Sequence, residues 1–465
     1  MSILVSFLYQ GNSFVFLIFC FLFCALLCRS WSVKSFFMIF LSTLLFFGFW
    51  LKIIASQLFL AGILFEPVGY FDYSPASYDE VLLISSLGAM GFICATYSMA
   101  DKLKCYGVGC YLFRSTHLKL SGRPYIAAWI LLLGIGVIAV CLNANYGVYH
   151  RGSRANDLLP SHIQNAIKWL LVMGLDLMAL TLLNMATNFE DAKFSILICL
   201  VLFIDFLCNV SLLSRGFPVS GGAILFAIFI IYAYKGRLKL LKVFVLPMIA
   251  YSVFSITSVS AVNFLRLSIY EGMTNQQNFN KILSTVGENT ANGIIVSSIN
   301  KQLNFLVGRW IGLEGVAAIS SYPDKGWPLF MSALREVKNY GGASFYDSRI
   351  VAKDTAYTNI SDKNYYAITL PGLIGFSYYA GSYWLVFVIT FLLGALGVLA
   401  ELIFFRLTNY PLVVAFISFL LAYRYISFGY APRDSYLLVV SLIAVGIIAF
   451  IMKKFHAITL FTRTD

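Results

Sequence analysis

Residues 124–143 read PYIAAWILLLGIGVIAVCLN, twenty residues without a charge, preceded by Arg123. At a rise of 1.5 Å per residue, a helix of that length covers about 30 Å, the thickness of a bilayer's hydrocarbon core. The stretch shows neither the strict alternation of a half-buried strand nor a heptad seam. Its Gly134-Ile-Gly136-Val-Ile-Ala139 matches the letters of a dinucleotide-binding turn, but it sits inside an apolar block with no strand before it, so close helix packing explains the glycines better.

Blocks of the same character recur near residues 6–28, 36–56, 80–100, 165–187, 194–212, 217–234, 243–263, 382–403, 409–428 and 435–452. With 124–143 they predict about eleven spans, or twelve if Phe36 to Phe65 holds two short ones. Composition agrees: of 465 residues 60% are hydrophobic and 12% charged, against roughly 25% charged in a soluble domain. The expected fold class is therefore an all-α, polytopic integral membrane protein, and soluble, disordered, collagenous and disulfide-scaffold classes are excluded. Its expected organisation is transmembrane helices 1–8 over residues 1–263, a large hydrophilic loop over 264–366, and helices 9–11 over 367–465. The first apolar block has no basic segment ahead of it, which argues against a cleaved signal peptide.

The net charge of +12 is spread through the loops instead of forming one stripe, so no nucleic-acid partner is expected. Placing Arg29 to Lys34 in the cytoplasm puts sixteen Lys and Arg in the loops and tail on that side. Five remain in the short loops opposite: Lys52, Arg151, Arg154, Arg215 and Arg433. By the positive-inside rule the C-terminus lies inside, and 264–366 faces out with ten basic and eight acidic residues. All nine cysteines lie at or before Cys208 and form no CxxC pair, so zinc and disulfide frameworks have no support in the sequence. No cofactor is expected.

Within the large loop, Ile299, Leu303, Leu306, Trp310, Leu313 and Ala317 recur at steps of four and three. That spacing predicts an amphipathic helix lying over the membrane face, ended by the turn Tyr322-Pro-Asp-Lys-Gly326. A second short helix is expected from Pro328, closed by Gly341-Gly342.

Two groups of residues carry chemistry. Arg215 and Arg266 follow outward spans directly, Arg309 lies in the large loop, and Arg151, Arg424 and Arg433 flank other outer ends. Several guanidinium forks converging at one face would bind phosphate or pyrophosphate, while headgroup anchoring would account for any single one. Asp176 and Asp205 stand at similar depth on a predicted helix hairpin, as a transporter's proton relay would require, or as two acids sharing a proton or bonded to neighbouring helices. Aromatic residues such as Tyr322 crowd the outer face, suiting either an interface belt or stacking on sugar rings.

The string Arg309-Trp-Ile-Gly-Leu-Glu-Gly-Val-Ala-Ala-Ile-Ser-Ser-Tyr-Pro-Asp324, with Leu212-Leu-Ser-Arg215-Gly upstream and Leu370-Pro-Gly-Leu-Ile-Gly-Phe-Ser downstream, resembles the Wzy family of O-antigen polymerases. The layout is similar too: ten to twelve helices, a large late loop, and arginines at outer helix exits. The resemblance implies a GT-C-like fold in the bacterial inner membrane with its active site facing the periplasm. It implies metal-free transfer of a growing glycan from undecaprenyl pyrophosphate to a new lipid-linked repeat unit. A Wzz-type chain-length regulator and a Wzx-type flippase would be pathway partners.

Such a reaction needs cations for the pyrophosphate, for which Arg215, Arg266 and Arg309 are the candidates, and Arg151, Arg424, Arg433 and Tyr322 stand as further substrate contacts. It also needs a base for the acceptor hydroxyl; Glu314 leads, followed by Asp324, although Glu314 would equally serve as an ion-pair partner for Arg309 or Lys325. The related ligases use a histidine in the large loop, and residues 264–366 contain none. A glycan transporter is the competing class, favoured by Asp176 and Asp205 and disfavoured by the large loop and the lack of internal repeats.

Overall fold

A computed structural model of the chain describes residues 2–106, 123–151, 158–185, 191–234, 240–270, 307–308, 310–337, 344–352, 370–432 and 435–447. In chain order its helices are α1 (Ser2–Ser6), α2 (Ser13–Val33), α3 (Phe36–Phe59), α4 (Pro75–Ser98) and α5 (Ala100–Tyr106). Then come α6 (Arg123–Tyr146), α7 (Ser161–Met185), α8 (Asp191–Ser211), α9 (Phe217–Tyr234) and α10 (Leu240–Tyr270). After these follow the short α11 (Leu313–Ser320), α12 (Trp327–Leu334) and α13 (Gly372–Ser377), and finally α14 (Tyr383–Thr408), α15 (Pro411–Ile426) and α16 (Ser435–Ile447).

Eight of these, α2, α3, α4, α6, α7, α8, α10 and α14, are long and apolar enough to cross a membrane, and α9, α15 and α16 are shorter apolar helices. They fall on the eleven apolar blocks of the sequence, as a multi-pass membrane protein requires. The twelve-span alternative does not hold, because α3 runs unbroken from Phe36 to Phe59, with a π-helical turn at Phe46–Leu51 between its two α-helical parts. Lys52, which the charge pattern assigns to a short connecting loop, lies within this helix and is fully buried.

Local chemistry sets the helix ends. Ser35, Ser74 and Ser382 each cap a helix by accepting from a backbone N–H in its first turn, and Pro75 sits at the first position of α4. Asn409 takes a left-handed conformation after α14. A carboxylate from another helix adds a further cap. Glu401 of α14 accepts from Ser35 Oγ at 2.6 Å, Phe36 N at 3.0 Å and Phe37 N at 2.8 Å, so its charge lies at the positive end of α3.

The helices form two groups. In the first, α4 packs against α2 and α14, and α3 against α15; in the second, α8 packs against α6, α7, α9 and α10. Contacts of α7 and α9 with α15 join them. The sides of α6 and α10 that face away carry rows of exposed Ile, Leu, Val and Met, as a lipid-facing surface would.

The large loop departs from expectation. Of the helix expected from Ile299 to Ala317, residues 299–306 and Arg309 lie outside the described residues, residues 307–308 and 310–312 are not helical, and α11 starts only at Leu313, after Gly312 in extended backbone. All eight residues of α11 are buried, which a helix lying on a surface cannot achieve. It instead enters the first helix group beside α4 and α13. The backbones meet so closely there that a methyl at Gly48 would overlap the Ile311 carbonyl oxygen, and one at Gly315 the Pro371 carbonyl oxygen. Gly48 stands halfway along α3, so this segment of the loop reaches the middle of the helix group. The second short helix does form, as α12, but ends at Leu334; Gly341-Gly342 lies outside the described residues.

Candidate functional site

The end of the molecule reached by Tyr146, Ser211, Phe217 and Arg266 carries three of the predicted arginines around one turn, Leu212–Gly216, between α8 and α9. Asn143, fully buried at the end of α6, organises it. Its amide donates to Ser211 O at 2.8 Å and Tyr149 O at 3.2 Å, and its oxygen accepts from Tyr149 N at 2.8 Å. This fixes residues 149–151 against the end of α8, where Arg151 N donates to Leu212 O at 2.9 Å.

Leu213 takes a left-handed conformation (φ 51°), uncommon for leucine. Arg266, arriving on α10, donates to its carbonyl from Nε at 3.1 Å and Nη2 at 2.7 Å, with a longer contact of 3.4 Å from Nη2 to Arg151 O. Arg266 therefore clamps the turn that carries Arg215, while Arg151 extends along it toward Gly216. Arg151, Arg215 and Arg266 are each half-buried, so a basic lobe forms from three separate stretches of chain.

Directly beneath lie the two aspartates. Asp205 is buried and accepts from Asn209 Nδ2 at 2.7 Å and from Ser220 Oγ at 2.8 and 3.1 Å. It interacts electrostatically with Arg151 and with the buried Asp176, whose Oδ1 has no hydrogen-bond partner. Their predicted proximity on a hairpin is thus observed. Nearby His150 is held below the usual histidine pKa by burial.

Glu314 lies in a different setting. It is in the first turn of α11, 2% exposed, and forms an ion pair with Lys52 of α3, which is 0% exposed. Lys52 Nζ meets Oε2 at 2.5 Å, while Oε1 is buried with no partner. Of the two expected partners, Lys325 lies beyond the opposite end of α11, where it donates to the Ser320 carbonyl, and Arg309 lies outside the described residues. The helix that carries Glu314 begins only at Leu313, after the position of Arg309 in the sequence.

Tyr346 is fully enclosed. Burial first, then Tyr379, Glu66, Asp347 and Glu314, push its hydroxyl well above the ordinary tyrosine range, so it stays protonated.

Among the remaining candidates, Asp324 is exposed on the turn after α11, and Tyr322 packs its ring edge-on to Tyr70 at 6.1 Å. Arg424 donates to Ser435 Oγ from Nε at 3.2 Å and Nη2 at 2.7 Å, joining α15 to α16. Arg433 lies outside the described residues. Sequence reasoning missed Asn143, Leu213 and the role of Lys52. Only Lys52 left a signal, as the sole charge between Lys34 and Glu66 in an otherwise apolar run.

Comparison of the chain with family models, with curated proteins and with solved structures finds no match in any of the three.

Proposed function

We propose that the chain is an O-antigen-type polymerase of the bacterial inner membrane. It transfers a growing glycan from undecaprenyl pyrophosphate to the terminal sugar of a new lipid-linked repeat unit at the periplasmic face. The observation that carries this reading is the gathering of Arg151, Arg215 and Arg266 around the Leu212–Gly216 turn. Guanidinium groups fixed in advance at one end of a helix group suit a leaving pyrophosphate, whose negative charge grows as the glycosidic carbon departs. The resemblance of the Arg309–Asp324 string to the Wzy family supplies the substrate class, and the apolar helix faces supply a surface along which lipid carriers can approach. Glu314 is the proposed base and Asp324 its reserve. A chain-length regulator and a flippase are the proposed pathway partners.

The test is direct. Purified protein in liposomes supplied with lipid-linked repeat units should lengthen the glycan while moving none of it across the bilayer. Cysteine placed at Ser298 or Asn359 should be labelled from the periplasmic side. A second reading, a transporter of lipid-linked glycans, rests on the buried pair Asp176 and Asp205; flux without chain growth would establish it instead.

A further inference from the structure

The ion pair between Lys52 and Glu314 joins two features that a merely structural contact does not need. One is a π-helical turn, Phe46–Leu51, placed immediately ahead of Lys52 in a helix that is otherwise α-helical. Such turns insert an extra residue and re-aim the side chains beyond them, and they recur at functional sites. The other is the unequal state of the carboxylate: Oε2 is held by Lys52 at 2.5 Å, and Oε1, equally buried, has no partner. A buried carboxylate gains from having all its lone pairs satisfied, so an open oxygen on a helix whose every residue is enclosed is a cost without a structural return.

We propose that this pair is the site that receives the acceptor hydroxyl, with Lys52 as a positioning residue acting through Glu314. The assignment rests on the polymerase reading. Lys52 fixes the carboxylate by one oxygen, so Oε1 is presented in a single orientation to a sugar hydroxyl. Both side chains are enclosed, so the acceptor enters while α11 is raised from Gly48 and Lys52, and the transfer takes place once α11 is seated again.

In the transfer, the acceptor oxygen bonds to the anomeric carbon of the donor glycan. The bond from that carbon to the pyrophosphate oxygen breaks with its electron pair on the pyrophosphate, and the hydroxyl proton passes to Oε1. Because Lys52 comes from α3 and Glu314 from the large loop, the base is assembled only when that loop segment is seated in the helix group.

The experiment compares two variants with the wild type in liposomes containing lipid-linked repeat units, scoring polymer formed per folded protein and thermal stability in parallel. Glu314→Gln keeps an amide oxygen to accept from Lys52 but leaves that buried cation without its counter-charge, so it should lose stability as Lys52→Met does, while polymer per folded protein should fall at least about a hundred-fold. The exchange Lys52→Glu with Glu314→Lys keeps an ion pair but moves the carboxylate onto α3. It should recover much of the stability that Lys52→Glu alone loses while making no polymer.

Polymer from the exchanged protein within about tenfold of wild type would overturn the assignment, since the pair would then be only a latch. Full activity per folded protein in Glu314→Gln would overturn it as well, even if the exchanged protein did not fold. A wild type that transports glycans without lengthening them would remove the polymerase reading and the assignment together. Polymer from wild type and from the exchanged protein alike would remove the assignment alone.

Discussion

In the group formed by α2, α3, α4, α14 and α15, a lone buried lysine meets a glutamate brought from 262 residues away. In the group formed by α6 to α10, two buried aspartates lie together, one held by Ser220 and Asn209 and the other with an unpartnered oxygen, beneath three arginines. Both places bury charge, and in both a π-helical turn precedes the buried residue, Phe46–Leu51 before Lys52 and Leu170–Gly174 before Asp176. They differ in what balances the charge. Lys52 is neutralised by an opposite charge in direct contact, which fastens a loop segment into the helix group. Asp205 has neutral partners, Asp176 has an open oxygen, and the positive charge acting on Asp205, Arg151, stands beside the turn, half-buried. The first arrangement suits a fixed geometry; the second suits a surface that takes up an anion.

The comparison breaks most visibly at Lys52. Lys52→Met leaves Glu314 buried without its cation and should cost about 3–5 kcal/mol, read as loss of folded protein on denaturation in detergent. Lys52→Met with Glu314→Leu removes both charges and should return stability to near that of the wild type, with no polymer made. If the double variant is as unstable as the single one, packing and not charge is what Lys52 contributes.

The arginine turn should respond in function more than in stability. Arg215→Lys keeps the charge but not the planar fork, and loss of one charge-assisted contact is worth about 1.5–3 kcal/mol, a ten-fold to hundred-fold fall in polymerisation rate. An unchanged rate would leave only the anchoring of lipid headgroups for this residue.

Between the aspartates the two substitutions should differ. Asp205→Asn sets an amide against the donors of Asn209 and Ser220 and should lower stability by about 1 kcal/mol. Asp176→Asn disturbs no hydrogen bond at its open oxygen and should change stability little, since a neutral amide relieves the repulsion from Asp205. Equal losses from both would mean that the aspartates work as one unit.

The smallest effect concerns His150, beside the arginine turn. Its pKa in the folded protein is lowered by burial, so the unfolded chain binds the proton more readily and stability falls as the pH drops through about 6.5. Its contribution is therefore present above that pH and lost below it. His150→Gln should flatten this acid loss, measured as melting temperature between about pH 7 and 5, and leave stability at higher pH unchanged.

The run of residues 124–143 and its ten counterparts determined the helices by themselves, because a stretch of about twenty uncharged apolar residues has one low-energy form in hydrocarbon. The arginine lobe was partly legible, since Arg215 and Arg266 directly follow apolar blocks. Sequence could not show that Arg266 bonds to the Leu213 carbonyl, a contact between residues 53 positions apart. Residues Leu313–Ser320 show the limit most clearly. Their apolar spacing fits a helix lying on a membrane face equally well, because periodicity records which residues avoid water and not what encloses them. Only tertiary packing, through the close backbone approaches at Gly48 and Gly315, decided that this helix is buried on every side and that its one carboxylate meets Lys52.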